Sequence, residues 1–457
     1  MEVMNLLLKT DSYKASHYLQ YPPGTEKLFA YLESRGGAHA ETRFFGLQAI
    51  IKEHLQTPIT REDIDEAEEV LTTHGLPFPR EGWLRILSEH GGLLPLEIRA
   101  VPEGTMVPTG NVLMTVESTD PELPWLVGWL ETLLVQVWYP TTVCTRSYYL
   151  REIIREHLEA TADDATAELP FKLHDFGCRG ASSMVSAALG GLAHLVNFQG
   201  TDTVPALVAA RRYYGADMAG YSIPAAEHST VISWGREQEV EAYRNMLRRF
   251  AKPGAVVAIV SDSYDIYDTV IRLWGEVLRQ EVIDSGATVV VRPDSGDPVE
   301  MVDWVVSALA EKFGTTTNSK GFRVLNHIRV IHGDQIDGRT IPEVLKVLRA
   351  NGFSASNIAF GIGAGLLQKL NRDTYRFAFK VSEVTIDGQA IPVRKSPVGS
   401  FKHSKAGHLD LVRDKNGTLR TIDRATDPTG VSSELVPVFR NGALLSDWTL
   451  EQVRGRA

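Results

Sequence analysis

The sequence is poor in cysteine and has no excess of positive charge. Only two cysteines, Cys144 and Cys178, occur in 457 residues, which excludes a disulfide framework and a zinc site built on cysteines. The formal net charge is −10, whereas nucleic acids and anionic membrane surfaces require a basic face. We therefore expect neither of these partners, and the scarcity of cysteine favours a reducing, cytoplasmic location.

Long apolar runs are also lacking. The most apolar stretch, residues 123–139, is interrupted by Glu131 and Gln136 and is shorter than the roughly 20 residues that cross a bilayer. It predicts a buried or interface helix. Residues 1–14 turn polar too early for a secretory segment.

The composition is that of a folded protein with more than one core. Hydrophobic residues make up 43% and charged residues 23% of the chain, and this length exceeds a single ordinary core. Residues 1–165 predict a mixed α+β domain that residues 380–457 complete. Residues 166–379 predict an α/β barrel, because short strands and helices alternate there.

The predicted strands of the second region share one feature at their ends. Strands are predicted at 256–261, 288–292, 328–332 and 358–361, and helices at 265–280, 299–313, 341–351 and 366–372. Each strand runs into a polar loop: SDSYD, RPDSGDP, HGDQID and GIGAG. In parallel α/β folds the carboxyl ends of the strands carry the chemistry, so these loops predict an active site.

The glycine-rich string GIGAGLLQKLNRD, residues 361–373, opens a predicted helix. Backbone N–H groups at such a turn bind phosphate, and Arg372 would add a positive charge. The same string also fits an ordinary tight turn.

Acidic residues recur at the strand ends. RPDSGDP places Arg292 and Asp294 on one side of a strand end, where the acid suits hydroxyls or Mg²⁺ and the arginine suits phosphate. A buried ion pair is the alternative. Further acids follow two other strands, which favours a Mg²⁺ and ribose site: Asp262, Asp265, Asp334 and Asp337.

Two further strings carry aromatic and ionisable groups. HDFGCRG, residues 174–180, offers Phe176 for stacking a flat heterocycle and Arg179 for an anion, or Phe176 belongs to the core. AAEHST, residues 225–230, presents His228 as a proton carrier or phosphoryl acceptor, unless it is structural. Neither string fits a kinase or a metalloprotease pattern.

Eight blocks together resemble the nicotinamide phosphoribosyltransferases, in that family's order and spacing. The blocks are NLLLKTDSYKASHYLQYPPGTEK, KLHDFGCRGASS, NFQGTDTV, GYSIPAAEHST, VSDSYDIYD, VVRPDSGDP, RVIHGDQID and NIAFGIGAGLLQKLNRD. The resemblance implies a homodimeric type II phosphoribosyltransferase with an irregular α/β barrel and a second domain built from both chain ends. It also implies nicotinamide and 5-phosphoribosyl-1-pyrophosphate as substrates, Mg²⁺ as cofactor and ATP as co-substrate.

The resemblance also implies roles for individual residues. The pyridine would lie between Phe176 and the partner's Tyr13, and Asp202 would approach its carboxamide with Ser261 and Arg292. Asp294 and Asp334 would hold the ribose, and Asp265, with Asp294, would lie near Mg²⁺. His228 would be phosphorylated by ATP. Phosphate and pyrophosphate contacts are implied for Gly333, Gly363, Ala364, Arg372, Arg179 and, from the partner, Arg35 and Lys395.

The chain departs from the family at a few positions. Ala364 stands where a second glycine is common, so the phosphate would meet a methyl group. Phe171 stands for a tyrosine and Cys178 for an aromatic residue. Lys402 is a further phosphate candidate.

Two alternatives remain on the sequence alone. Nicotinate phosphoribosyltransferase shares the fold, but a carboxylate at Asp202 repels nicotinate and accepts an amide N–H. A catalytically silent metabolite-binding relative would be expected to lack Asp294, His228 or Arg372, and all three are present.

Overall fold

The chain divides into two compact units. The computed structural model describes residues 4–396, 403–427 and 430–456. The terminal unit comprises Met1–Thr145, Arg212–Ala216 and Asn371–Ala457, and the barrel unit comprises Arg146–Arg211 and Asp217–Leu370.

The terminal unit is built on an antiparallel sheet that draws strands from both chain ends. In spatial order its seven strands are Gln389–Pro392, Phe377–Ile386, Thr25–Ser34, Val112–Ser118, Leu96–Ala100, Val436–Arg440 and Ala443–Leu444. Two smaller strand pairs accompany it: Glu41–Arg43 with Met106–Pro108, and Leu409–Arg413 with Leu419–Asp423. The predicted hairpins at DKNGTL and FRNGAL are confirmed, and Asn441 and Gly442 take the positive φ angles that such a turn needs.

Helices cover this sheet and enclose an aromatic core. They are Leu47–His54, Arg61–Thr73, Arg80–Glu89, Leu126–Leu134 and Leu450–Arg454, with 3₁₀ turns at Leu6–Leu8, Ser12–Leu19, Val135–Val137 and Arg372–Thr374. The predicted helix near residue 61 begins with a capping box between Thr60 and Asp63. Trp83, Trp125 and Trp129 pack edge to face in the core.

The apolar stretch 123–139 forms the largely buried helix Leu126–Leu134, the 3₁₀ turn Val135–Val137 and the start of a second helix. This second helix, Trp138–Thr161, continues from the terminal unit into the barrel unit. Among the residues that the structure describes, no helix is long and apolar enough to cross a membrane.

The barrel unit is built on a curled parallel sheet. We number its six barrel strands in chain order: Leu173–Asp175, Gly200–Thr201, Val256–Val260, Thr288–Arg292, Ile328–His332 and Ile358–Ile362. Their spatial order is second, first, sixth, fifth, fourth, third. The segment 221–225 then bridges the two edges, because Tyr221 pairs with Gly200 and Ala225 with Ala258. The predicted α/β barrel is therefore confirmed, with an irregular closure.

Helices connect the barrel strands. They are Ala165–Glu168, Met184–His194, Val204–Tyr214, His228–Ile232, Glu239–Phe250, Ile266–Asp268, Arg279–Ser285, Pro298–Phe313, Thr340–Ala350 and Ala364–Leu367, with 3₁₀ turns at Leu169–Phe171, Cys178–Gly180, Arg236–Gln238 and Ala355–Asn357. A small hairpin joins Thr315–Thr317 to Arg323–Leu325.

Two helix predictions in this unit were wrong in detail. The helix predicted at 265–280 contains a nine-residue π-helix, Thr269–Val277. Trp274 lies in this π-helix, and its indole N–H donates to the Ser261 hydroxyl. The helix predicted at 366–372 ends at Leu367, since Gln368 leaves helical geometry and residues from Asn371 belong to the terminal unit.

Candidate active site

The polar loops that follow the barrel strands lie at one end of the parallel sheet. Phe176 and Arg179 follow the first strand, Asp202 the second, Ser261, Asp262 and Asp265 the third, Asp294 the fourth, Gly333 and Asp334 the fifth, and Gly363 and Ala364 the sixth. Parallel pairing explains this arrangement, because it brings every carboxyl end to the same edge. The loops that follow the predicted strands therefore lie at one edge of the sheet, as the sequence predicted.

An aromatic ring and an ion pair lie next to each other at this edge. Arg292 Nη2 lies 2.9 Å from both carboxylate oxygens of Asp294, and the guanidinium carbon lies 5.2 Å from the centre of the Phe176 ring. The bidentate contact fixes the Asp294 carboxylate beside the ring. The arrangement suits a flat base next to a ribose hydroxyl.

A second carboxylate, that of Asp202, lines the same cavity as Phe176. Asp202 Oδ1 accepts a hydrogen bond of 2.6 Å from the Ser222 hydroxyl, and the Asp202 N–H donates to the Asp175 carbonyl. Asp175 itself is fully buried, and burial raises the pKa of its carboxyl to about 6. Ser222 lies on the segment that closes the barrel and was not singled out from the sequence.

His228 is paired with an aspartate that the sequence did not assign to it. The His228 ring begins the helix His228–Ile232, and its Nε2 lies 3.0 Å from Asp262 Oδ1. Asp262 also accepts from the Ser295 hydroxyl at 2.7 Å. The Asp262 side chain is 5% exposed and that of His228 is 46% exposed, so a buried carboxylate orients a ring that solvent reaches.

The remaining acids have more local contacts. Asp265 caps its own helix by accepting from the N–H groups of Tyr267 and Asp268, and Asp334 accepts from Gln335 at 3.1 Å. Within the described residues no three His, Cys, Asp or Glu side chains form a metal-holding group. An Mg²⁺ ion at Asp265 and Asp294 would therefore take part of its oxygen shell from water and substrate phosphates, as Mg²⁺ commonly does.

The glycine-rich loop packs against the DFG loop. A β-carbon on Gly180 would lie 2.8 Å from that of Ala364, and one on Gly177 would lie 2.7 Å from Leu367. The methyl group of Ala364 therefore faces Gly180. Gly363 immediately precedes the four-residue helix Ala364–Leu367, so backbone N–H groups of this turn remain suited to phosphate.

Ser261 differs from the other candidates in its surroundings. It is fully buried, and its hydroxyl donates to the Ile259 carbonyl while accepting from Trp274. Both hydrogen bonds hold this hydroxyl within the wall of the barrel. Its implied contact with a carboxamide stays a prediction.

A cavity of about 590 Å³ occupies the barrel. Its wider wall is apolar and includes Ile223, Ala258, Val290, Ile331 and Ala359, and its carboxyl-end mouth includes Phe176, Asp202, Ser222 and Arg292. At the amino ends of the strands it reaches Lys172 and Arg329, whose pKa values burial lowers. This volume lies within the range of small-molecule sites.

The terminal unit carries the other candidates. Tyr13 is 58% exposed, Arg35 pairs with Glu33 at 2.6 Å, and Arg372 lies 3.8 Å from Asp373. Lys395 is exposed and its N–H donates to Ser404. Lys402 lies outside the described residues.

Lys380 is a further basic residue of the terminal unit that the sequence did not single out. Burial lowers the pKa of Lys380, with the positive charges of Arg35, Arg372 and Lys14 adding to the effect and Glu131 opposing it. A lysine on a strand beside other cations suits an anion. In the sequence, its position in the alternating segment FAFKVSEV resembled that of any solvent-facing strand residue.

The fold and the site define a class. A parallel barrel with a glycine-rich turn, acids and arginines at its carboxyl end, and an antiparallel second unit is the architecture of a type II phosphoribosyltransferase. A solved structure of nicotinate-nucleotide pyrophosphorylase from Pyrococcus furiosus has this fold, with a TM-score of 0.63, 15% identity and coverage of 100% of this chain and 96% of that one. Human nicotinic acid phosphoribosyltransferase gives a TM-score of 0.53, with 18% identity and coverage of 98% and 92%.

Sequence comparison gives the family. The profile of the nicotinate phosphoribosyltransferase (NAPRTase) family matches residues 171–426, and that of the nicotinamide phosphoribosyltransferase N-terminal domain matches residues 5–98. A nicotinamide phosphoribosyltransferase of Xanthomonas campestris is 56% identical, with 99% of this chain and 98% of the relative covered. One of Acinetobacter baylyi is 32% identical over 99% and 97%. The chain therefore belongs to the nicotinamide phosphoribosyltransferase family.

Proposed function

We propose that the protein joins nicotinamide to 5-phosphoribosyl-1-pyrophosphate, forming nicotinamide mononucleotide and pyrophosphate for NAD salvage in the cytoplasm. The observation that carries the choice of base is the Asp202 carboxylate, which lies at the mouth of the barrel cavity and is held by Ser222. A carboxylate accepts the amide N–H of nicotinamide. The names of the two similar bacterial relatives agree with this base.

Bond exchange at C1′ needs placement and charge more than acid–base chemistry. The pyridine nitrogen attacks C1′ as the bond to the pyrophosphate oxygen breaks, and the nitrogen already carries its lone pair, so no proton has to be removed. Asp294, oriented by Arg292, would hold the ribose hydroxyls together with Asp334. Arg179 would take the leaving charge, and Mg²⁺ near Asp265 would neutralise the pyrophosphate. Such electrostatic stabilisation is commonly the largest contribution to catalysis.

The alternative base is nicotinate, after which the matching family is named. Two unit charges about 4 Å apart at an effective dielectric of about 20 repel by about 4 kcal/mol before screening. Asp202 therefore disfavours nicotinate. A silent metabolite-binding relative is disfavoured by the intact ion pair of Arg292 with Asp294 and by the pairing of His228 with Asp262.

The assay that tests the activity uses both bases. The purified protein is incubated with Mg²⁺, 5-phosphoribosyl-1-pyrophosphate and either nicotinamide or nicotinate, and the mononucleotide is identified by mass. We expect the nicotinamide product in large excess. Preference for nicotinate, or no product with either base, would overturn the proposal.

We further propose that ATP phosphorylates His228 and that its hydrolysis drives synthesis. The support is geometric: Asp262 holds Nε2, which leaves Nδ1 with the lone pair that attacks the γ-phosphorus of ATP while ADP departs. ATP should give an acid-labile phosphoprotein in the wild type and none in His228→Ala, while slow ATP-independent synthesis persists. Full ATP stimulation in His228→Ala would show that the ring is structural.

The third part of the proposal is a homodimer with shared sites. Large apolar side chains at the starts of two barrel-unit helices are more than 60% exposed in the single chain: Met184, Val185, Val204 and Val208. Exposed apolar groups of this kind mark interaction surfaces. We propose that the partner's Tyr13, Arg35 and Lys395 complete the site, with Tyr13 over the pyridine.

A further inference from the structure

The ring of Phe176 lies against two glycines that come from neighbouring strands. Gly361 belongs to the sixth barrel strand and Gly333 follows the fifth. A β-carbon on Gly361 would lie 2.1 Å from Cε2 and 2.3 Å from Cδ2 of Phe176, and one on Gly333 would lie 3.4 Å from Cε2. The backbone therefore approaches the ring more closely than any side chain permits.

Backbone conformation does not explain the glycine at position 361. Gly361 is absent from the glycines with positive φ, and it pairs with His174 inside a parallel sheet. Glycine weakens a strand interior because it packs nothing and is conformationally free. The feature that requires glycine at this position is the space taken by the Phe176 ring.

The surroundings of the ring determine where it would move. The backbone N–H of Phe176 donates to the Ile362 carbonyl at 2.9 Å, so the main chain is held in place. Gly333 and the Arg292 guanidinium flank the ring. The remaining side is the barrel cavity, which Phe176 helps to line, so a methyl group at position 361 would push the ring into the cavity.

We propose that Gly361 is a positioning residue that sets how far the Phe176 ring projects into the base pocket. A ring set back against the strand leaves more of the cavity open to a flat heterocycle. The inference rests on the proposed function, in which Phe176 stacks on the pyridine. Gly361 itself acts only through Phe176.

The test is a double-mutant cycle on the full-length protein. Gly361→Ala should fold, because the displaced ring can enter the cavity. The KM for nicotinamide should rise about three- to tenfold, the equivalent of one stacking contact, while kcat and the KM for 5-phosphoribosyl-1-pyrophosphate stay within about twofold. Direct titration with nicotinamide should show the same loss of affinity.

Two further variants separate the possible explanations. Phe176→Ala should raise the KM for nicotinamide, and adding Gly361→Ala to it should raise the KM no further, because the methyl group then meets no ring. Gly338→Ala is the matched control: its φ is not positive and its β-carbon would make only an ordinary contact of 3.6 Å with Leu150.

Each outcome bears on a different claim. If Phe176→Ala leaves the KM for nicotinamide unchanged, the stacking role in the proposed function is wrong. If Phe176→Ala has its effect but Gly361→Ala has none, the positioning role of Gly361 is wrong. A Gly361→Ala loss that persists in the Phe176→Ala background, or that lowers all kinetic constants together, likewise contradicts it.

Discussion

The two units place their candidate residues in different ways. In the barrel unit every one of them except His228 follows a parallel strand or lies in one, and the loops meet at one edge of one sheet. In the terminal unit they lie on separate segments: Tyr13 in a 3₁₀ turn, Arg35 after a strand, Arg372 in another turn and Lys395 after an edge strand. Successive antiparallel strands end at opposite edges, so chain order alone does not bring such residues together.

The largest effect should come from the centre of the barrel unit. Asp294→Asn removes the charge that Arg292 holds and that we propose binds the ribose, and loss of one preorganised electrostatic group costs about 10²–10³-fold in turnover. We expect a fall of that order in kcat/KM with an unchanged circular dichroism spectrum. Asp268→Asn is the matched control, because Asp268 pairs with Arg272 on the exposed face of a helix. Activity within about twofold of wild type in Asp294→Asn would remove Asp294 from the site.

The next largest effect should come from mixing two variants, which tests whether the terminal unit of one subunit completes the active site in the barrel unit of another. Tyr13→Ala and Arg179→Ala should each lose most of their kcat/KM for nicotinamide. After subunit exchange, about half of the dimers are heterodimers with one intact site of two, so recovered activity should approach about a quarter of wild type. Native mass spectrometry verifies the exchange. Verified heterodimers as inactive as their parents would show that Tyr13 acts within its own chain.

The same contrast explains how much the sequence could predict. The loops after the third to sixth barrel strands were identified from strand and loop order alone, since parallel topology fixes their common edge. Strand and loop order did not predict two hydrogen-bonded pairs, Asp202 with Ser222 and His228 with Asp262. Ser222 and His228 lie on the irregular segment 221–228, which has no strand pattern in the sequence.

The limits differ in the terminal unit. Its strands and hairpin turns followed from alternation and from the Asn–Gly turns, but its candidate residues came only from the family resemblance. The helix predicted at 366–372 failed for a related reason: the string LLQKLNRD keeps helical composition while the chain passes from one unit to the other after Leu370. Local propensity does not report a domain boundary.

A smaller effect is expected on the choice of base. Asp202→Asn removes the repulsion of nicotinate, and because Asp202 is exposed in the single chain, solvent screening should leave a change of about tenfold in the ratio of kcat/KM values for the two bases. Ser222→Ala should change the ratio by about two- to threefold through loss of one hydrogen bond, and Ser222→Thr, which keeps the hydroxyl, should restore it. An unchanged ratio in Asp202→Asn would exclude Asp202 from base selection.

The smallest effect should be on the free energy of unfolding. It can be compared between two fully buried carboxyl groups, one in each unit. Burial raises the pKa of Asp175 in the barrel unit to about 6, with the hydrogen bond from the Gly177 N–H opposing the rise. Burial also raises the pKa of Glu103 in the terminal unit, where Tyr214 and the Gln48 N–H donate to the carboxyl. A raised acid pKa means that the folded state binds the proton more tightly. The stability it contributes is full below the unfolded pKa and is lost as pH rises through the folded pKa.

Asp175→Asn and Glu103→Gln stay uncharged at every pH, so both should gain stability relative to wild type between about pH 4 and pH 7. One pKa unit corresponds to about 1.4 kcal/mol, and relaxation around the new amide should reduce the gain at Asp175 to about 1 kcal/mol. Urea unfolding at both pH values measures it, with Asp268→Asn as the exposed control.

Since Asp175 precedes Phe176 and binds the N–H of Asp202 through its carbonyl, Asp175→Asn should also alter the KM for nicotinamide, whereas Glu103→Gln should not. A gain that is the same at both pH values would mean that Asp175 is ionised in the folded protein throughout this range.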